Sequence, residues 1–223
     1  MKLTLVKKVD EARDTKSFFF SSDEKIIWEA GQYTYLTLGE ITKQFTIASS
    51  PTEKFIQVTT RIRSESEFKQ NLDKLKIGDQ IEARAPFGTF VLLNSKSSIL
   101  NHVFMAGGIG ITPFRSMIKY NIDQKLGIPM CLIYSNSDSE FVFKNELDEW
   151  QKENKNLKIS YFDSSKSGHL DVIKLSSLLT AYSLEHITAW VVGPPPFVNA
   201  MEDVLEELKI SEDNIKTEKF TGY

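Results

Sequence analysis

The sequence predicts two domains: an antiparallel β-barrel with one short helix over residues 1–98, then a doubly wound, five-stranded parallel α/β sheet over residues 99–223. Three observations predict it. A length of 223 residues suits one or two domains of ordinary size. Short apolar or alternating runs between turn residues fill the first part, whereas strand-like and helix-like runs alternate in the second. Between them lies Asn94-Ser95-Lys96-Ser97-Ser98, a polar stretch without an apolar anchor.

In the first part the strand-like runs are Ser17–Ser21, Tyr33–Leu38, Phe45–Ala48, Phe55–Thr60, Gln80–Ala85 and Phe90–Leu93. One exception interrupts them: from Glu65 to Leu75, Phe68, Leu72 and Leu75 recur at helical spacing before the Ile77-Gly78-Asp79 turn. After Ser98, strands are expected at His102–Ala106, Pro129–Tyr134, Leu157–Phe162, Ile187–Val192 and Ile215–Phe220. Helical patterns separate them: from Pro113, around Phe143–Glu153, around Asp171–Leu179 and over Phe197–Leu208. A helix in each crossover is what parallel strands need, because the chain must return to the same end of the sheet.

Composition narrows the function classes. Hydrophobic residues at 41% and charged residues at 26% give the balance of a folding globular chain. Cys131 is the only cysteine, which excludes disulfides, cysteine zinc sites and iron–sulfur clusters. His102, His169 and His186 lack metal-ligand spacing, so no metal site is expected. Residues 1–98 hold 15 Lys+Arg against 13 Asp+Glu, and residues 99–223 hold 12 against 17, too small an asymmetry for a nucleic-acid partner. Met1 to Val9 alternates apolar and basic residues, and no apolar run long enough for a signal peptide or membrane span follows, so a cytoplasmic location is expected.

Two loops of the second part have chemistry. The apolar run Val103-Phe104-Met105-Ala106 enters Gly107-Gly108-Ile109-Gly110, then Ile111-Thr112-Pro113 and an amphipathic stretch. Thr112 reads as an N-cap and Pro113 as the first helical residue, where proline's missing donor costs nothing. A bare helix start at a strand's carboxyl end offers N–H groups and a favourable dipole to an anion such as a pyrophosphate. The spacing is not G-x-G-x-x-G, since Pro113 stands at the third glycine position, and a tight strand-to-helix turn also explains it. The second loop, Gly193-Pro194-Pro195-Pro196, reads as a rigid rim after Ile187–Val192. If the first strand lies beside the fourth, the two loops face each other where open α/β sheets bind ligands.

These residues, in order, resemble the ferredoxin–NADP reductase superfamily along essentially the whole chain. The signatures are Gly31-Gln32-Tyr33, Lys43-Gln44-Phe45-Thr46-Ile47-Ala48-Ser49-Ser50-Pro51, Pro86-Phe87-Gly88-Thr89-Phe90, the loop Gly107 to Pro113, Gly193-Pro194-Pro195-Pro196 and Glu218-Lys219-Phe220. The resemblance implies FAD, rather than FMN, in the first domain. Lys43 stands where the family usually has arginine and would pair with a flavin phosphate without arginine's bidentate fork. Phe45 replaces the usual tyrosine against the flavin, and Thr46 resembles the residue beside flavin N5 that receives hydride. Gln44, Thr60, Arg61 and Ser66, Phe68 and Lys69 at the start of the barrel helix are implied as further flavin contacts. In the second domain, Gly107, Gly108, Gly110, Ile111, Thr112, Pro113, Ser135, Asn136, Gly193, Pro194 and Pro195 are implied as dinucleotide contacts. Glu218 and Phe220 match the family's Glu-x-aromatic near the nicotinamide position, and Phe220 and Tyr223 are both candidates for the ring covering the flavin.

The implied reaction is hydride transfer from NAD(P)H to the flavin, which needs alignment of two rings more than an acid or base. NADH is favoured over NADPH. Asp138 and Glu140 follow the second parallel strand, where many relatives carry an arginine at the place of Ser137. The implied acceptor is a separate redox protein such as a ferredoxin, a flavodoxin or an oxygenase component. Two alternatives stand beside it: a reductase of small acceptors (free flavin, ferric chelates, quinones) and a flavin relay subunit of a larger complex. Nothing in the sequence indicates the oligomeric state.

Overall fold

A computed structural model describes residues 1–92, 101–180, 182 and 184–221. The chain forms two compact units, Met1–Leu93 with Thr112–Gln124, and Asn94–Ile111 with Lys125–Tyr223.

In the first unit, β1 (Lys2–Ala12), β2 (Thr15–Ser21), β3 (Tyr33–Leu38), β4 (Ile41–Thr46), β5 (Ile56–Arg61) and β6 (Gln80–Ala83) form one sheet, in the order β4-β3-β6-β1-β2-β5. Its recorded pairings are antiparallel. Just beyond β4, the Ala48 N–H donates to the Gln57 carbonyl at 2.8 Å, linking the chain that leaves one edge strand to the other edge strand, as in a barrel. Leu3, Leu5, Phe18, Phe20, Leu36, Ile47 and Val58 are fully buried inside, together with Phe68 and Leu72 of α1 (Glu67–Lys74). Fully burying each such side chain contributes about 1.5–3 kcal/mol, and their period of two in the strands sets which face points inward.

The structure corrects the sequence reading at several places. Strand β1 spans eleven residues where no strand was assigned, because its outer face is lysine-rich and only Leu3 and Leu5 are fully buried. Of Phe45–Ala48 only Phe45 and Thr46 lie in a strand, as the end of β4, which starts at Ile41 and runs through the exposed Thr42, Lys43 and Gln44. Residues 90–92 form no strand, and Leu93 lies outside the described residues.

The second unit holds β7 (Asn101–Gly107), β8 (Met130–Asn136), β9 (Leu157–Asp163), β10 (Ile187–Gly193) and β11 (Ile215–Lys219). All pairs are parallel, in the order β11-β10-β7-β8-β9, so the first strand does lie beside the fourth. The crossovers contain α2 (Ile111–Asp123), α3 (Lys144–Glu153), the short α4 (Ser164–Ser167) with α5 (Val172–Leu179), and α6 (Pro195–Glu207). From Thr112 onward α2 belongs to the first unit, although its sequence position groups it with the parallel sheet. Val103, Met105, Ile133, Ala189, Val191, Leu175 and Leu205 form the second core. His102, 7% exposed, accepts a hydrogen bond from the Trp190 indole at 2.9 Å; burial pushes its pKa down to about 4, so it is a neutral structural acceptor. Among the described residues no helix is long and apolar enough to cross a membrane, and no cluster of metal-ligating side chains forms.

Candidate functional site

On the first unit, α1 starts at a serine cap: the Ser66 hydroxyl accepts from the Lys69 N–H at 3.4 Å. Lys69 itself is 7% exposed. Burial, then the positive charge of Arg63, push its pKa down to about 8; Glu65 acts against this and Lys43 adds to it. Three cations thus influence one another around a helix N-terminus, an arrangement suited to an anion. Lys43 lies exposed on β4, and Arg61 is half-buried at the end of β5. Arg63 is a member of this group that the sequence reading did not single out; its position two residues beyond Arg61 was the available signal.

Phe45 and Phe68 turn towards each other, ring centroids 5.4 Å apart, as members of the barrel core. Phe45 is 9% exposed and Phe68 only 1%, so the Phe68 ring is a wall residue whose direct ligand contact would be through backbone. Thr60, at 1%, is restricted in the same way. Thr46 is 8% exposed, on the β4 face opposite Phe45, and is paired with Tyr33 of β3. Gln44 is exposed.

In the second unit the carboxyl ends of β7, β8 and β10 lie side by side. Gly108 takes the left-handed φ of +54°, and a Cβ there would meet nothing nearer than Asn136 Oδ1 at 3.8 Å, so it presents open backbone. Gly110 is glycine for another reason: a Cβ would come within 2.2 Å of the Val192 carbonyl. Residues 108–110 make a 3₁₀ turn that runs directly into α2, and the Ile111 N–H bonds back to Gly108. Thr112 is therefore inside the helix and is not its N-cap; with Ile111 fully buried, Thr112 at 2% and Pro113 buried, these three offer no exposed side chains. Pro194 precedes α6, while Pro195 and Pro196 lie in its first turn, so the proline run is half loop and half helix start. The Phe197 ring closes over Gly107 and Gly193, a packing role the sequence reading missed.

At the end of β8, Ser135 is buried, and the Asn136 amide donates to Asp138 Oδ1 at 2.9 Å and to the Glu140 carbonyl at 3.0 Å, which turns its Oδ1 toward Gly108. At the end of β9, Asp163 accepts from Ser165 and pairs with Lys166 at 3.2 Å. On β11, Glu218 has a buried Oε2 with no hydrogen-bond partner, and burial pushes its pKa up to about 7. The Phe220 N–H donates to the Gly193 carbonyl at 2.9 Å, fixing the ring's backbone against β10. Tyr223 lies outside the described residues.

The family model described as an oxidoreductase FAD-binding domain matches residues 2–92, and that of an oxidoreductase NAD-binding domain matches residues 104–203. Flavohemoprotein A of Dictyostelium discoideum is 26% identical over 237 aligned residues, covering 96% of this chain and 58% of that protein. The chain thus spans little more than half of that relative's length. Among solved structures, the cytochrome P450 reductase GcoB of Amycolatopsis shares the fold at a TM-score of 0.87, with 21% identity over 100% of this chain and 70% of the other. The ferredoxin–NADP+ reductase of Plasmodium falciparum does so at 0.80, with 18% identity over 98% of this chain and 95% of the other. With an FAD-binding domain and an NAD-binding domain matched in that order on this fold, the chain belongs to the ferredoxin–NADP reductase superfamily.

Proposed function

We propose that the chain is an NADH-dependent flavoprotein reductase that passes electrons to a separate redox protein. FAD, when bound, accepts hydride from the reduced nicotinamide and hands the electrons on. The observation that carries the reading is Lys69: a buried ammonium under the influence of Arg63 and Lys43, beside a capped helix start, fits the pyrophosphate of FAD. Lys43, Ser66 and Arg61 would share that anion, and Thr46 and Gln44 would line the flavin ring.

In the second unit, the open backbone at Gly108 and the oriented Asn136 amide suit a dinucleotide. Ser135, Gly107, Gly110 and the Gly193-Pro194-Pro195 rim would complete its cradle through backbone. Glu218, with a displaced pKa and an orphaned oxygen, can hold a proton near neutral pH beside Phe220. Preference for NADH is supported by the acids Asp138 and Glu140 on the β8 loop and by Lys166, which already pairs with Asp163. The 25% identity over 90% of this chain to the glycine betaine monooxygenase reductase subunit of Pseudomonas aeruginosa supports a protein acceptor, an oxygenase component being the first choice.

The test is to load the purified chain with FAD and follow NADH oxidation as the concentration of an oxidised oxygenase-type ferredoxin is raised, against NADH with ferricyanide alone. Saturation at micromolar carrier supports the protein acceptor, whereas turnover with ferricyanide and free flavin only would replace it with a small-acceptor reductase.

A further inference from the structure

We propose that Arg115 is a positioning residue for the flavin reaction, clamping the segment that follows Thr46 onto helix α2. This rests on the reductase reading given above. Arg115 is 4% exposed. Its Nη1 donates to the Ala48 carbonyl at 2.9 Å and to Glu53 Oε2 at 2.8 Å, and its Nη2 donates to Glu53 Oε1 at 3.2 Å. Glu53 Oε2 also accepts from the Ser50 N–H at 2.7 Å. The neighbouring Ser116 hydroxyl donates to the Ser49 carbonyl at 2.7 Å. Adjacent carbonyls, at Ala48 and Ser49, are therefore held by adjacent side chains of one helix turn.

The same segment is held from its other side by strands. The Ile47 N–H donates to the Gln32 carbonyl at 2.9 Å, and the Ala48 N–H to the Gln57 carbonyl at 2.8 Å. The amides and carbonyls held in this way belong to Ile47, Ala48, Ser49 and Ser50, all within four residues of Thr46. A buried ion pair gives little net stability over an apolar pair of the same size, so stability alone is a weak reason to bury a guanidinium here. What it supplies is direction: a bidentate fork fixes the segment in a way that a point charge does not. Hydride transfer is sensitive to such placement, since a shift of about 1 Å costs on the order of a hundredfold in rate.

The test uses the full chain as Arg115→Met, Arg115→Lys and Glu53→Gln. Three quantities are read: FAD affinity by fluorescence quenching, hydrogen exchange at residues 47–50 without flavin, and the anaerobic rate of flavin bleaching at saturating NADH. Arg115→Met is expected to slow bleaching by about 30-fold, with FAD affinity changed by less than about threefold. Exchange at residues 47–50 is expected to rise by about tenfold while the rest of the chain keeps its protection. Arg115→Lys is expected to recover part of the rate, which a purely structural role would not produce. Should Arg115→Met fail to fold, Glu53→Gln keeps one acceptor oxygen, replaces the other with an NH2 donor and removes the charge, and about a tenfold slowing is expected. Bleaching at the unsubstituted rate, or loss of protection and FAD binding across the whole chain, overturns the clamp. An unsubstituted chain that binds FAD but is bleached by neither nucleotide overturns the reductase reading first, and the clamp with it.

Discussion

The candidate site of each unit holds an ionisable side chain displaced far from its ordinary behaviour, Lys69 in the first and Glu218 in the second, and the two are displaced in opposite directions. In the first unit Lys69 is pushed down, to about 8, by burial and by neighbouring cations. In the second, Glu218 is pushed up, to about 7, by burial alone. The first displacement is relieved by an anion, because a phosphate nearby favours the charged ammonium and raises its pKa again. The second is relieved by a proton, which makes Glu218 a neutral donor below about pH 7. On the proposed reading, anion binding in the first unit would depend on side chains, whereas in the second the open peptide groups around Gly108 would serve it.

The largest effect should come from removing the side-chain cation. Lys69→Met is expected to weaken FAD binding by about 100-fold, the worth of a strong charge-assisted contact, while leaving ADP-ribose affinity unchanged; fluorescence titration and calorimetry read the two. Equal losses for both ligands would break the contrast between the units. Next, Glu218→Gln should change the pH dependence of stability. The folded pKa lies above the ordinary 4.5, so ionisation penalises the folded state. That penalty is absent below pH 4.5, grows up to about pH 7 and persists above it. The glutamine variant should therefore gain about 2 kcal/mol over the parent at pH 8 and nothing at pH 4 in denaturant melts.

Two smaller tests sharpen the account of the second unit. Ser137→Arg, on the exposed loop after β8, should raise the NADPH to NADH ratio of kcat/KM by about tenfold. No change would mean that the loop does not meet the 2′ position. Gly108→Ala should cost about 1 kcal/mol through its left-handed backbone, with nucleotide affinity falling and FAD affinity constant.

Much of the fold was legible because the hydrophobic period changes from two to helical spacing between the halves. β1 was not, since lysines on its outer face hide a strand whose inward face is short. The glycine loop was legible as a strand-to-helix junction, but not the reason for each glycine: only a neighbour such as the Val192 carbonyl, some eighty residues away in sequence, explains Gly110. Thr112 looked like a cap because its residue type suits one, whereas the preceding 3₁₀ turn already starts the helix. Arg115 and Glu53 carried no local signal, since their pairing joins positions 62 residues apart.

The most direct measurement is anaerobic stopped-flow of the FAD-loaded chain mixed separately with NADH and NADPH, following the flavin band. Rapid bleaching by NADH, and bleaching by NADPH slower by about tenfold or more, is the predicted result. A chain that takes up no FAD, or holds FAD that neither nucleotide bleaches, would contradict the assignment of a hydride-accepting reductase.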